Sequence, residues 1–270
     1  MWWKYKHGYI KKSNIMNSTL IIKKNYFLFF CIIFVIKSTV YGDDKDIIKD
    51  YFSFAGVKFE ILKNGESNRR LVWIHGDEKT AELLIRKHLK KNNGTAYLID
   101  NVEREVVING FIIDPNRIFT NNGVKKNIIK LNNNISKSEL NKTIELINKD
   151  RDEFFEKISP PKGGLLIALH NNIREYSIEN EIPLSTEVSL KKNSHPDHHN
   201  FFICTNRDDY NLLKESPFNV VLQDKQIEYD DGSLSWFALR KNIRFINIET
   251  RLGYLSTQSK MLKYINENLF

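Results

Sequence analysis

Cysteine is scarce in this chain of 270 residues, with two in all, and that scarcity excludes a disulfide-built fold. Cys31 lies in an apolar stretch near the N-terminus, so Cys204 has no intramolecular partner in the remainder. Within Phe201-Phe202-Ile203-Cys204 it reads as a small buried apolar side chain. That early apolar stretch, residues 26–36, falls short of the about 20 residues a helix needs to cross a bilayer. Acidic residues are missing altogether from residues 1–42, which hold seven of the 41 basic side chains. The formal charge of +8 is therefore mostly a property of this segment, because residues 43–270 carry 34 basic against 33 acidic groups. With no arginine-rich stripe interleaved with aromatics beyond it, the chain is not read as a nucleic-acid binder. No repeat, low-complexity linker or composition break interrupts residues 43–270, which read as one domain.

Residues 1–42 have the pattern of a targeting signal. Lys11, Lys12, Lys23 and Lys24 precede the apolar run, and Val40-Tyr41-Gly42 stands before Asp43 and Asp44. Met16 offers a second start that would give the signal a more ordinary length. Cleavage and retention as an N-terminal anchor are both open, and an uncleaved segment is the one route to a membrane. Cys31 lacks the small neighbours of a lipidation site. The expected location is secreted or periplasmic.

From residue 43 onward, short apolar runs alternate with helical stretches. A short helix is expected over 46–54 and an edge strand over 57–62, followed by strands over 71–75 and 97–100. A hairpin is expected over 105–113, turning at Asn109-Gly110. Ala81, Leu84, Ile85 and Leu89 fall at helical spacing over 78–91, ended by Asn92-Asn93-Gly94. His88 on that helix has no ligand partner one turn away and reads as a packed residue. Ser136 and Glu139 form a capping box for a helix with Leu140, Ile144, Ile147, Phe154 and Ile158 on its apolar face, stopped by Pro160-Pro161. Further strands are expected over 165–170, 201–205, 219–222 and 243–248, and a last helix carries Met261, Leu262, Ile265 and Leu269 on one face. The class is α/β: a single domain with a mixed central β-sheet flanked by helices on both faces.

In such folds functional groups collect beyond the carboxyl ends of the strands. His75, His170 and Glu249 each end an apolar run. The run Leu71-Val72-Trp73-Ile74-His75 is followed by Gly76-Asp77-Glu78, so one tight turn offers an imidazole and a carboxylate. Two ligands from one turn and a distant third are what a catalytic zinc needs if a position is to stay open for water. His195-Pro196-Asp197-His198-His199 is a second set of ligand-type side chains, but its crowding beside Asn193 and Ser194 reads as a solvated loop. Trp73 and Trp236 read as core or pocket-wall aromatics.

Together these residues resemble the zinc carboxypeptidase superfamily. Its ordered pattern is matched by His75-Gly76-Asp77-Glu78, Asp114-Pro115-Asn116-Arg117, His170 and Glu249. Gly232-Ser233-Leu234-Ser235-Trp236, followed by Glu249-Thr250-Arg251, adds to the match. The resemblance spans about residues 70 to 260. It implies one Zn²⁺ ion held by His75, Glu78 and His170, with Glu249 as general base and Asn116 and Arg117 as the anchor for a substrate carboxylate. Arg104 is the candidate for the family's oxyanion arginine. Tyr229 lies two residues from Ile227, the position that strict spacing assigns to the mobile tyrosine. The intervals between motifs are short for a digestive carboxypeptidase, which implies a trimmed domain with small loops.

The implied activity is hydrolysis of an amide bond next to a free carboxylate, on short peptides or cell-wall stem peptides. An aspartoacylase-like deacylase of N-acyl amino acids shares the same metal and anchor motifs. A zinc-containing module that binds peptide termini without turnover is the third reading.

Overall fold

The computed structural model describes residues 47–173, 176–191, 197–225 and 230–269. The expected leader, Tyr229 and His195 lie outside them. Among the described residues no helix is long and apolar enough to cross a membrane.

One nine-stranded mixed sheet organises the domain. Its strands are β1 (Ile48–Phe54), β2 (Val57–Asn64), β3 (Arg69–Trp73), β4 (Gly94–Ile99), β7 (Leu165–Asn172), β8 (Glu187–Ser189), β9 (Phe201–Cys204), β10 (Asn219–Leu222) and β11 (Phe245–Arg251). They lie in the order β1-β2-β4-β3-β7-β11-β9-β10-β8. β5 (Val106–Ile108) and β6 (Phe111–Ile113) form a separate hairpin, closed by Asn109 and Gly110 at positive φ as a tight two-residue turn requires.

β4 and β7 are buried at every position. Strands buried on both faces need cover on both sides, which is why their sequences are continuous apolar runs rather than alternations. Helices α1 (Lys79–Leu89) and α7 (Leu255–Asn268) pack on each other and over β7 and β11. A second group consists of α2 (Asn121–Leu131), α3 (Lys137–Ile158) and α6 (Leu234–Arg240). The stacked rings of Phe155 and Phe237 join α3 to α6, and Phe119 packs against both. The two short helices α4 (Ile178–Glu181) and α5 (Arg207–Leu213) lie beside β10. Ser136 caps α3 by accepting from the Glu139 amide, although the Glu139 carboxylate takes the Ser136 hydroxyl and so does not close the expected box, and Thr120 caps α2 through its hydroxyl.

The helix expected over 46–54 is instead strand β1, paired antiparallel with β2 along its whole length. The reason is the turn: Ala55 and Gly56 both take positive φ, 47° and 87°, which folds β1 back on β2 as a hairpin. β1 is consequently the sheet edge, and β2, expected there, is the next strand in.

The central strands β3, β7 and β11 run parallel. Val72 pairs with Ala168, two residues before His170, and Glu249 pairs directly with His170. His75, expected to end its strand, follows the end of β3 by two residues, while His170 and Glu249 lie inside β7 and β11, each two residues before the strand end, because these two strands stay paired through Asn172 and Arg251.

Candidate metal centre and its cleft

β3 stops at Trp73, and the chain turns sharply to bring Glu78 back to His75. The Glu78 amide donates to the His75 carbonyl at 3.2 Å, and the Trp73 indole donates to the Glu78 carbonyl at 3.0 Å. Gly76 permits this turn because a Cβ there would sit 2.4 Å from the Asn101 carbonyl oxygen and 2.5 Å from that of Glu103. Glu78 then begins α1, whose Ala81 amide donates to Asn171 Oδ1 of β7 at 2.8 Å. The first turn of the helix is thereby fastened to the strand that carries His170.

His75, Glu78 and His170 converge, each at most 4% exposed. His75 Nδ1 lies 2.8 Å from Glu78 Oε1 and 3.2 Å from His170 Nδ1, and His170 Nδ1 lies 2.9 Å from Glu78 Oε2. On its other side, His75 Nε2 lies 2.9 Å from Asp114 Oδ1. Burial opposes charging of His75, but the Glu78 and Asp114 carboxylates outweigh it and raise its pKa to about 9. Against the cost of burial, His170 and His75 hold Glu78, and His75 with Arg117 and Arg104 hold Asp114, far below the usual carboxylate range.

This group could hold a metal ion. Two imidazole nitrogens and a carboxylate with mutual spacings of 2.8 to 3.2 Å have about the separation of donors that share an ion at about 2.0 to 2.2 Å. Asp114 stands where an outer carboxylate would fix the tautomer of His75 once a metal is bound, with Nε2 protonated and the Nδ1 lone pair turned inward.

Glu249 is 6% exposed on β11. It accepts from Asn247 Nδ2 at 3.1 Å and from Asn172 Nδ2 at 3.4 Å. Burial raises its pKa to about 7; repulsion from Glu78 and Glu181 adds to that rise, against attraction to His170.

The centre lies in a cleft of ≈ 560 Å³ whose lining includes His75, Glu78, Arg104, Asn116, Arg117, His170 and Glu249. Arg104 reaches Glu78 Oε1 at 2.9 Å. Asp114 caps the turn Pro115–Arg117 by accepting from the Asn116 amide at 2.7 Å. Asn116 Oδ1 receives the Leu234 amide at 2.9 Å, and the Phe119 amide donates to the Gly232 carbonyl at 3.0 Å. Gly232, at φ 81°, lies so close that a Cβ would meet the Arg117 carbonyl oxygen at 2.7 Å. The Gly-Ser motif is thus a backbone support for the Asn116–Arg117 turn. The Arg117 guanidinium bonds the Asn116 carbonyl at 2.7 Å and lies 3.5 Å from Asp231.

Two residues of the cleft wall were not picked out by sequence. Tyr176 donates to Glu181 Oε1 at 2.6 Å, and both line the cleft. Neither belongs to a motif, and they follow β7 in a stretch with no periodic signal. The expected histidine loop braces this wall: the His198 carbonyl receives the Ile178 amide at 2.8 Å, His199 Nδ1 lies 2.7 Å from the Tyr176 carbonyl, and the His199 carbonyl accepts from Asn172 at 2.7 Å. His88 packs beside Asn92, away from the centre.

No family model matches the chain, and its sequence matches no curated protein. Among solved structures, it is similar to the murein-tripeptide amidase MpaA from Escherichia coli O157 at 12% identity, covering 81% of this chain and 90% of that one with a TM-score of 0.41. It is also similar to the ectoine utilization protein EutE (DoeB) from Ruegeria pomeroyi at 8% identity, covering 84% of this chain and 68% of that one with a TM-score of 0.42.

Proposed function

We propose that this chain is a zinc-dependent hydrolase that cuts an amide bond next to a free carboxylate, acting as a carboxypeptidase on short or cell-wall peptides. The observation that carries this reading is the meeting of His75, Glu78 and His170 in one cleft with Glu249 and Arg117.

Zn²⁺ bound there would supply Lewis acidity, polarising a carbonyl and making a water acidic near neutral pH. Glu249 is the base. Its carboxylate titrates near neutrality, where a group can both remove a proton from the attacking water and return it to the departing amine. Asn172 and Asn247 hold it from two sides, so it does not swing away between the two transfers. Arg117 takes the substrate carboxylate in place of its longer contact with Asp231, and its planar fork matches two oxygens. Arg104 neutralises charge beside Glu78, and we assign it the role of stabilising the oxyanion. We place the substrate outside the cytoplasm, in a secreted or periplasmic setting, on the pattern of the N-terminal segment.

The test incubates the purified protein, with zinc and with chelator, with peptides whose C-terminus is free or amidated, and with N-acyl amino acids. Loss of the last residue from free peptides alone, abolished by chelator, supports the reading. Activity confined to N-acyl amino acids points to the deacylase, and tight zinc without turnover to a binding module; either result overturns the peptidase.

A further inference from the structure

A second groove, of ≈ 1030 Å³, lies between α1 and α7, with Arg69, Lys87, Lys90, Lys91 and Lys263 in its lining. Glu267 is the one carboxylate among the described residues that line it, and Lys263 lies 3.6 Å from it. Lys87, Lys90 and Lys91 are exposed, while the half-buried Arg69 donates to Asn266 of α7. His88 is half-buried among these cations, its Nδ1 3.2 Å from Asn92 Nδ2. Burial and then the Arg69 charge lower its pKa to about 4, so the imidazole adds no charge of its own near neutrality. Cations gathered along one groove make a field that draws in an anionic partner.

Two elements fix where this groove lies relative to the metal centre. β3 begins at Arg69 and leads to His75, and α1 begins behind Glu78 and runs about 16 Å toward Lys90 and Lys91. Each carries a groove cation at one end and a metal-centre residue at the other, so groove and cleft lie at opposite ends of the sheet. The chain enters the domain at the groove end. Ile48, at the start of β1, pairs with Lys63, Lys63 with Thr95 and Thr95 with Arg70, in one row across the sheet. Ahead of β1 in the chain stand residues 1–42, with seven basic side chains, no acidic one and the apolar run 26–36. Phosphate groups suit these cations, and the lining decides what carries them. No Phe, Tyr or Trp is among the described residues of the groove, so it lacks the rings on which nucleic-acid bases stack. A cluster of about four to eight Lys or Arg residues close in sequence to an apolar segment is the pattern that binds anionic lipid.

We propose that the groove between α1 and α7 is a docking face for an anionic lipid surface, its lysines and Arg69 taking phosphate headgroups while the metal cleft faces away from the bilayer. It is a route to a membrane separate from the N-terminal segment, and it does not depend on the activity proposed above.

The test sediments the full chain with vesicles of phosphatidylcholine alone or of an equal mixture with phosphatidylglycerol. Replacing Lys87, Lys90 and Lys91 together by Gln should weaken binding to the mixed vesicles by about 100-fold, at about fivefold for each lysine near the surface, and leave binding to phosphatidylcholine unchanged. The control replaces Lys125, Lys130 and Lys142 by Gln, removing the same charge from exposed positions on α2 and α3 outside the groove. It should bind nearly as the wild type does, because charges more than a Debye length from the lipid are screened. All these chains share the N-terminal segment, so the difference between them belongs to the groove, and circular dichroism checks that each is folded. In a second measurement, NMR titration of His88 follows its pKa with dihexanoyl phosphatidylglycerol below its micelle concentration or with inorganic phosphate. A phosphate headgroup seated in the groove should raise that pKa, and the rise should vanish in the groove variant. Equal losses in the two triple variants, or no loss in the groove variant, overturn the proposal. A His88 response to inorganic phosphate but not to the lipid overturns it in favour of a free-phosphate site. Tighter binding of a single-stranded oligonucleotide than of mixed vesicles, lost in the groove variant, overturns it in favour of nucleic acid.

Discussion

His75 and Asp114 meet at 2.9 Å through Nε2 and Oδ1, on the side of the ring opposite Glu78 and His170. One carboxylate therefore orients the histidine while another shares its inward nitrogen. Because Asp114 also caps the turn that carries Asn116 and Arg117, the centre and the proposed carboxylate anchor share a residue.

Asp114→Asn should weaken zinc binding by about 10- to 100-fold, the range seen when an outer-shell carboxylate is lost. A competition titration against a chromogenic chelator measures it. Unchanged affinity would show that Asp114 serves the turn alone.

Metal loading should release protons. In the metal-free protein His75 is charged up to about pH 9, and a ligating imidazole must be neutral. Between pH 7 and 8, zinc binding should therefore expel about one proton from His75, and apparent affinity should rise with pH until about pH 9. Calorimetry in two buffers of different ionisation enthalpy counts the protons. Zero release from this group at pH 7.5 contradicts its place in the centre.

Glu249→Gln should abolish turnover and leave zinc bound. It should also change stability in chelated protein, and the sign follows from linkage. Burial raises the folded pKa from 4.5 to about 7. Below pH 4.5 both folded and unfolded states hold the proton, and between 4.5 and 7 the unfolded state loses it first. Stability thus falls across this window by about 3 kcal/mol and stays lower above it. Glutamine does not titrate, so the variant should gain on the wild type from pH 4.5 to 7. Parallel urea midpoints across that range would refute the buried-carboxylate account, and lost zinc would mean that Glu249 is a ligand.

Gly76→Ala should destabilise the fold by about 3 kcal/mol, because the added methyl meets two backbone carbonyls that belong to a fixed loop. Gly110→Ala is the control: no atom lies within 4 Å of its Cβ position, and its cost is limited to the positive φ. Equal losses in urea unfolding would show that the crowding at Gly76 relaxes freely.

Much of this arrangement is legible in local patterns of the chain. The apolar run ending in His75 and the turn to Glu78 are local, as are the Ser136 cap and the Asn109-Gly110 hairpin, and local patterns carry their own chemistry. β1 carries no such local signal. Its Ala55-Gly56 turn lacks the usual Asn or Asp, and its mixed polar surface follows from lying at an edge, where burial imposes no strict alternation.

Sequence alone determined the donors and their order: two histidines and two glutamates at or beside strand ends, and an Asn-Arg pair behind an Asx-Pro turn. Tertiary structure decided which of them touch. Parallel packing of β3, β7 and β11 sets His75 against His170, 95 residues apart in the chain. The histidine loop at 197–200 braces a wall bearing Tyr176 and Glu181, which no motif announced. Contacts across such separations depend on sheet order and on where a loop lands on the core, and neither leaves a local trace in the chain.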